Sequence, residues 1–264
     1  MSVLFGTRDN MQWVPAPLAN YASPKIRWRA VDQYINGGAA VRESATAHRE
    51  FNLSWPVSSA ETVSPILRTL DMPGPYYYQD PLAMEKNLVP SYWATTMLVT
   101  EDAPPLVPGV TPTLVTGTAN DNGFPVPAAR FVVPSARASN LSVYVPAGYK
   151  VGLGVYGSGG THGFNATGTL AKVSPTGATR YVAGGTTAGW RTLWFSAATH
   201  VVQAISLIVI PSDQEFPTGT PFVPGLGHSG LSLRDNPSVT EYSAVLENAQ
   251  IGVSADFVEV GAWL

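Results

Sequence analysis

Glycine and proline punctuate this chain from end to end. The 25 Gly and 23 Pro fall between short apolar runs and form no collagen-like repeat. Proline breaks helix interiors and glycine weakens them, so a chain interrupted this often has little room for long helices. Short strands joined by many turns are what such punctuation allows. The apolar share of 45% is enough for a packed core, while charged residues make up only 12%. That pair of values excludes a coiled coil, a charge-rich disordered chain and a highly charged helical protein. A length of 264 residues suits one large domain or two small ones.

Net charge is -3. Divided near residue 110, the chain carries 8 basic and 10 acidic residues before that point and 7 and 8 after it. Neither half is basic, so a nucleic-acid partner held by phosphate neutralisation is not expected. There are no cysteines, hence no disulfide framework, zinc–thiolate site or cysteine nucleophile. Arg8 and Asp9 interrupt the N-terminus early, so no signal peptide is read there. The longest apolar run, residues 201–210, is about half of what a membrane-spanning helix needs. The expectation is a soluble protein made in a cytoplasm.

Residues 11–24, with Trp13, Pro15 and Pro17, read as an extended arm. Residues 25–35 and 39–55 read as two strands of a hairpin around Asn36-Gly37-Gly38. Residues 58–71 are the one helix candidate. Val63, Ile66, Leu67 and Leu70 share a face, and the start is either a Ser58/Glu61 capping box or Ser64-Pro65. Tyr76, Tyr77 and Tyr78 form an aromatic strand, Asp80-Pro81 is a turn, and residues 93–100 close this half. Residues 101–127 are rich in proline and glycine and mark the boundary. The domains are therefore expected at 1–110 and 128–264, with a linker at 111–127.

The second half shows strands at short intervals: 130–133, 139–145, 151–156, 169–174, 179–183, 189–195, 201–210, 239–246 and 250–263. Regular strands with turn signals between them predict a β-sandwich or jelly roll. Residues 201–210 are apolar on both faces and should be a central strand. The fold class is all-β: an N-terminal β domain with one short helix, then a C-terminal sandwich.

No two of His48, His162, His200 and His228 stand at metal-ligand spacing. Gly157-Ser158-Gly159-Gly160 lacks the lysine and following helix of a phosphate loop. Gly227-His228-Ser229-Gly230 fails the Gly-x-Ser-x-Gly spacing of a nucleophile turn. Asp213 and Glu215 are the candidate carboxylate pair for a glycosidase, and with Asp235 the candidate calcium ligands. Neither grouping is dense enough to outweigh a solvated loop. Asn52, Asn140 and Asn165 match glycosylation acceptors by chance in a chain without a secretory signal. No cofactor, metal or catalytic residue is expected.

Aromatic residues are the stronger signal. Alternation along a strand requires at least one of Tyr76 to Tyr78 to face outward, and places Trp190 and Trp194 on one face with Thr192 between them. Rings on a sheet surface stack on sugars or anchor protein interfaces, and core packing is their default elsewhere.

Several stretches occur in an order that carries more information than any one of them. They are Asn10-Met-Gln-Trp-Val-Pro-Ala-Pro, Tyr34-Ile-Asn-Gly-Gly-Ala-Ala-Val-Arg and His48-Arg-Glu-Phe-Asn-Leu-Ser-Trp. Tyr78-Gln-Asp-Pro-Leu-Ala-Met, Asp102-Ala-Pro-Pro-Leu and the closing Val258-Glu-Val-Gly-Ala-Trp-Leu complete the set. Together, spanning nearly the whole chain, they resemble minor tail proteins of long-tailed phages that infect actinobacteria. The 11 Arg against 4 Lys suit a GC-rich phage. Within that group the layout is similar to a distal tail protein. The resemblance implies an N-terminal domain that assembles into a sixfold ring under the tail tube, and a galectin-like or carbohydrate-module-like sandwich outside it.

The expected function is thus a non-enzymatic structural protein of the virion tail tip. It would form a homo-oligomeric ring and meet the tail tube and other tip proteins. Trp13, Trp28, Arg42, Arg49, Phe51, Trp55, Tyr76, Tyr77 and Tyr78 are the candidate assembly residues. The first rival is a host-glycan adhesion module using Tyr156, Tyr181, Trp190 and Trp194. The second is an envelope-degrading glycosidase using Asp213 and Glu215.

Overall fold

The computed structural model describes residues 2–20, 25–26, 29–33, 39–43, 48–90, 93, 105–115, 128–164, 171–173, 179–184, 187–216, 227, 230–242 and 250–260. The protein is mostly β, in several antiparallel sheets. In chain order it opens with β1 (Ser2–Thr7), β2 (Asn10–Pro15), β3 (Leu18–Asn20), β4 (Lys25–Ile26), β5 (Arg29–Gln33), β6 (Ala39–Glu43) and β7 (His48–Ser59). The helix α1 (Ala60–Leu70), β8 (Tyr76–Gln79) and the helix α2 (Pro81–Lys86) follow. Next come β9 (Thr113–Val115), β10 (Ala128–Val133), β11 (Arg137–Val145), β12 (Tyr149–Ser158), β13 (His162–Phe164) and β14 (Ala171–Val173). Then come β15 (Thr179–Gly184), β16 (Gly189–Phe195) and β17 (Ala198–Pro211), and last β18 (Leu231–Leu233), β19 (Ser238–Glu241) and β20 (Gln250–Glu259).

Two compact units divide the chain: Met1–Asp80 with Ser229–Gly261, and Pro81–His228 with Ala262–Leu264. This differs from the boundary read from composition. The chain returns to its first unit because β20 pairs along β7, with Phe257 opposite Phe51 and Val253 opposite Trp55. Residues 229–261 therefore do not belong with the preceding strands. Nor is 101–127 a boundary. Leu106, Val107 and Val110 are buried, and β9 pairs with β10.

In the first unit one sheet runs β2-β1-β8-β18-β20-β7-β3, with β19 added on β20 and β4 on β7. Its two end strands, β2 and β3, are joined by only Ala16 and Pro17. Three backbone steps reach about 11 Å at most, so the sheet must curl until its ends meet. Trp55 of β7 closes the gap, donating its indole N–H to the Pro15 carbonyl at 2.8 Å. The enclosed core holds Phe5, Phe51, Trp55, Tyr76, Tyr78 and Phe257 with Val63, Ile66 and Leu70 of α1. The described part of the N-terminal "arm" is thus β2, paired with β1, and β3, paired with β7; residues 21–24 lie outside the described residues. The preceding β1, for which the sequence carried no signal, buries Val3, Leu4 and Phe5.

Helix α1 begins one residue later than the capping-box reading. Ser59 is the N-cap and accepts the Thr62 N–H, whereas Ser58 Oγ donates to the Pro56 carbonyl. Pro65 lies inside the helix, not at its start. Its carbonyl accepts from Gln12 Nε2 and Thr69 Oγ1, which ties the helix to β2. The hairpin is present as β5 paired with β6, from Arg29 opposite Glu43 to Gln33 opposite Ala39. Residues 44–47, inside the single long strand expected from 39 to 55, lie outside the described residues.

In the second unit a six-stranded sheet runs β14-β15-β12-β17-β10-β9, and a three-stranded sheet runs β11-β16-β13. Phe131 of the first meets Phe195 of the second edge to face, 5.4 Å between centroids. β17 is central, as its apolar run required, but β10 covers it only over residues 198–202. Beyond that, Asn87 takes the place of a neighbouring strand. It is fully buried, donates to the Ile205 carbonyl and accepts from the N–H groups of Leu207 and Val89. The Leu88 N–H adds a bond to the Leu207 carbonyl. Helix α2 sets up this segment. It is a second helix beyond the one expected, with Pro81 at its first position, where a missing N–H costs nothing. Trp93 is helical, its N–H donating to the Pro90 carbonyl, rather than opening a strand; residues 94–100 lie outside the described residues.

Candidate functional site

The clearest surface arrangement is on the three-stranded sheet. Along β11 and β16, inward residues alternate with half-buried ones. Leu141, Val143, Val145, Leu193 and Phe195 face the core, leaving Ser142, Tyr144, Trp190, Thr192 and Trp194 on the other face. Register puts Tyr144 directly opposite Trp190, and their rings meet at 5.6 Å and 67°. Ser142 lies opposite Thr192 with hydroxyls 2.8 Å apart. Trp194 stands opposite Ala138 on one side and Gly163 on the other, so no large cross-strand side chain flanks its ring. Alternate residues are about 6.7 Å apart along a strand, so this row places two indoles about 13 Å apart with hydroxyls between them. Such a row offers π faces and a hydroxyl acceptor, the chemistry of stacking on a sugar's apolar face.

A bulge shapes one end of the row. Between Ala138 and Ser142 the β11 register slips against β16. There Asn140 turns to another segment, its N–H bonding Leu106 O at 2.7 Å and its side chain Pro105 O at 2.8 Å. Tyr156 and Tyr181 do not join the tryptophans. They belong to β12 and β15 of the other sheet.

The nine expected assembly residues scatter. Trp13 is exposed on β2, an end strand, at 42%. Arg42 sits in the β5–β6 hairpin opposite Ala30, Arg49 in β7 opposite Lys25, and Trp28 lies outside the described residues. Phe51, Trp55, Tyr76, Tyr77 and Tyr78 are all buried. They build the first unit's interior and present no surface. The requirement that one tyrosine face outward fails because β8 is covered on both faces. Tyr76 and Tyr78 point into the aromatic core, while Tyr77 lies opposite Gly6 and beside Arg8 and Asp9 of the β1–β2 turn. Burial raises the pKa of Tyr76 and of Tyr77, so both phenols stay protonated. The Tyr76 hydroxyl shares its proton between the Leu70 and Met72 carbonyls at the end of α1.

Asp213, Glu215 and Asp235 are exposed. Among the described residues no three His, Asp or Glu side chains converge as a metal site. One pairing escaped the sequence. His162 of β13 and His200 of β17 are both buried, with His162 Nε2 3.1 Å from His200 Nδ1. They are 38 residues apart and meet across the two sheets, so no spacing rule could join them.

Searches against protein-family models, curated proteins and solved structures found no match for this chain.

Proposed function

We propose that this protein is a structural subunit of a phage tail tip, in which the first unit assembles and the second is displayed. The ordered motifs along nearly the whole chain carry the reading. The chain's topology supports it. Residues 81–228, which make up the second unit apart from Ala262–Leu264, are inserted between β8 and β18, strands that touch where Leu231 lies opposite Tyr76. A module that leaves and re-enters one sheet at adjacent strands can vary without disturbing the sheet that holds the assembly. The facing sheets of the second unit would be the sandwich of that layout. With Phe51, Trp55 and the tyrosines buried, ring contacts fall to Trp13 and to the β5–β6 hairpin. The test is native mass by light scattering over a range of concentrations. A discrete multimer, above all a hexamer, supports the ring. A monomer at every concentration, together with normal tails when Trp13 is made charged, sinks it.

A second reading rests on the Trp190–Tyr144–Trp194 row: the second unit binds envelope polysaccharide by ring stacking. Arabinogalactan binding by the whole protein, lost in Trp194→Ala, supports it. Retained binding in that variant removes the row from the account.

A further inference from the structure

The row on the three-stranded sheet is polar in its middle and aromatic at its ends. A protein partner is commonly anchored the other way round, with aromatic residues at a dry centre and polar groups at the rim. Here Ser142 and Thr192 hold the centre, their hydroxyls 2.8 Å apart. Only one of the two can donate to the other. The accepting hydroxyl therefore keeps its own O–H, and both oxygens keep acceptor capacity. A neutral donor beside neutral acceptors is the complement of another hydroxyl, which also donates and accepts. A carboxylate or phosphate is better served by cationic donors, and none of Ser142, Tyr144, Trp190, Thr192 and Trp194 is charged.

The two ends are built differently. At one, Tyr144 meets the Trp190 ring across the strands, and the Trp190 carbonyl accepts from Arg191 Nη1 at 3.2 Å. At the other, Trp194 stands between Ala138 and Gly163, small residues that leave room beside the indole. Both indoles belong to β16, and the strand rise sets them about 13 Å apart. A single sugar covers one indole and does not reach the other. A chain that touches both is extended, runs along β16 and holds at least three linked sugars, with a middle one over the hydroxyl pair.

We propose that this row seats one extended, neutral polysaccharide strand along β16, with sugars of the same strand stacked on Trp194 and at the Trp190 end and sugar hydroxyls held between them by Ser142 and Thr192. This rests on the polysaccharide reading of the row above and gives that ligand a direction, a minimum length and a polar contact. Rings carried on paired strands lose little freedom when such a strand binds. The second ring acts on a ligand that the first already holds, so affinity rises with chain length as a step rather than a slope. The seat does not depend on the tail-tip reading.

The experiment is calorimetric titration of the whole protein with linear neutral oligosaccharides cut from arabinogalactan, from one sugar to six. Affinity should be weak and similar for one and two sugars, rise by about tenfold once the chain spans the row, and then level off. In Trp194→Ala the step should vanish, so that six sugars bind no better than one. In Thr192→Val, which keeps the branched shape and removes the hydroxyl, the longer chains should lose about fivefold while a single sugar loses little. Affinity that is flat or smoothly graded with length overturns the strand and leaves the polysaccharide reading standing, as does a step that survives Trp194→Ala. Absence of binding at every length and to intact arabinogalactan overturns both. Should Trp194→Ala not fold, the unmodified protein and Thr192→Val decide. A step in the first with a loss confined to the longer chains in the second supports the seat, and equal affinities for the two proteins at every length overturn it.

Discussion

The first unit is held by its last strand, the second by its own neighbours. In the first, β7 waits for β20, and Phe51 meets Phe257 from the far end of the chain at 5.9 Å. In the second, β9 to β17 pair among themselves, and Asn87 and Leu88 just upstream bond to β17. Charge divides the same way. Residues 1–80 and 229–261 hold 12 acidic and 8 basic residues, whereas residues 81–228 hold 6 acidic and 7 basic ones, none of the acidic ones between 122 and 212. One unit therefore closes through long-range aromatic packing and tolerates charge at its surface. The other relies on apolar layers whose residues 122–212 carry no carboxylate. The same strand content has been reached with different weak points.

The largest test of this contrast is Phe257→Ala. Phe257 is fully buried, and its ring contacts Phe5, Phe51 and Tyr76. Its loss should cost the first unit about 3–5 kcal/mol, as large-to-small core changes do. Hydrogen exchange should show β1, β7 and β20 losing protection while β12 and β16 do not. Equal losses in both would mean that the units fold as one.

Asn87→Ala is the converse. It leaves the Leu207 N–H and the Ile205 carbonyl without partners inside the second unit. Buried orphan groups cost about 1–3 kcal/mol each, so a loss of about 2–4 kcal/mol is expected there. Denaturant unfolding followed at β17 should shift while the first unit stays in place.

The pH dependence follows from His162. Its folded value of about 4 lies below the ordinary 6.5. Between those values the unfolded chain binds more protons than the folded one. Stability of the second unit is therefore full above about pH 6.5 and falls as pH drops through the window. The loss levels off below about pH 4 at about 3 kcal/mol, the equivalent of the shift. A second unit whose stability stays flat from pH 7 to pH 4 would remove the electrostatic half of the contrast.

How far the sequence revealed these features follows from their range. Helix α1 was legible because Val63, Ile66 and Leu70 repeat within one element, and β17 because its apolar run exceeds what a half-buried strand carries. Asp80-Pro81 read as a turn, whereas Pro81 opens α2, and the sequence did not mark it as the junction between units, since a junction is defined by what pairs later. Short β13 and β18 are three residues each and offer no period to count. Tyr77 was misjudged because alternation assumes one wet face, and β8 has none. The Trp190–Trp194 face was legible from period two, but Tyr144 as its partner needed the β11 register. The histidine pair needed both sheets at once.

The smallest expected effect on stability bears most on function. Trp13 is 42% exposed on β2, paired with Leu4 of β1. A ring that presents this much surface gains little from the fold itself, so Trp13→Glu should change the first unit's stability by only about 0.5 kcal/mol. An aromatic at the centre of a contact between copies carries far more, commonly about 2 kcal/mol or greater on truncation, and a buried carboxylate adds to that. The two quantities separate cleanly in one variant. If Trp13 anchors assembly, Trp13→Glu remains folded by exchange and denaturation but runs as a monomer in light scattering, and tails carrying it fail to form. If the multimer persists, β2 is not where copies meet, and the β5–β6 hairpin with Arg42 becomes the surface to alter next. Loss of fold in Trp13→Glu would instead place Trp13 with Trp55 and Phe257, among the residues that close the first unit on itself.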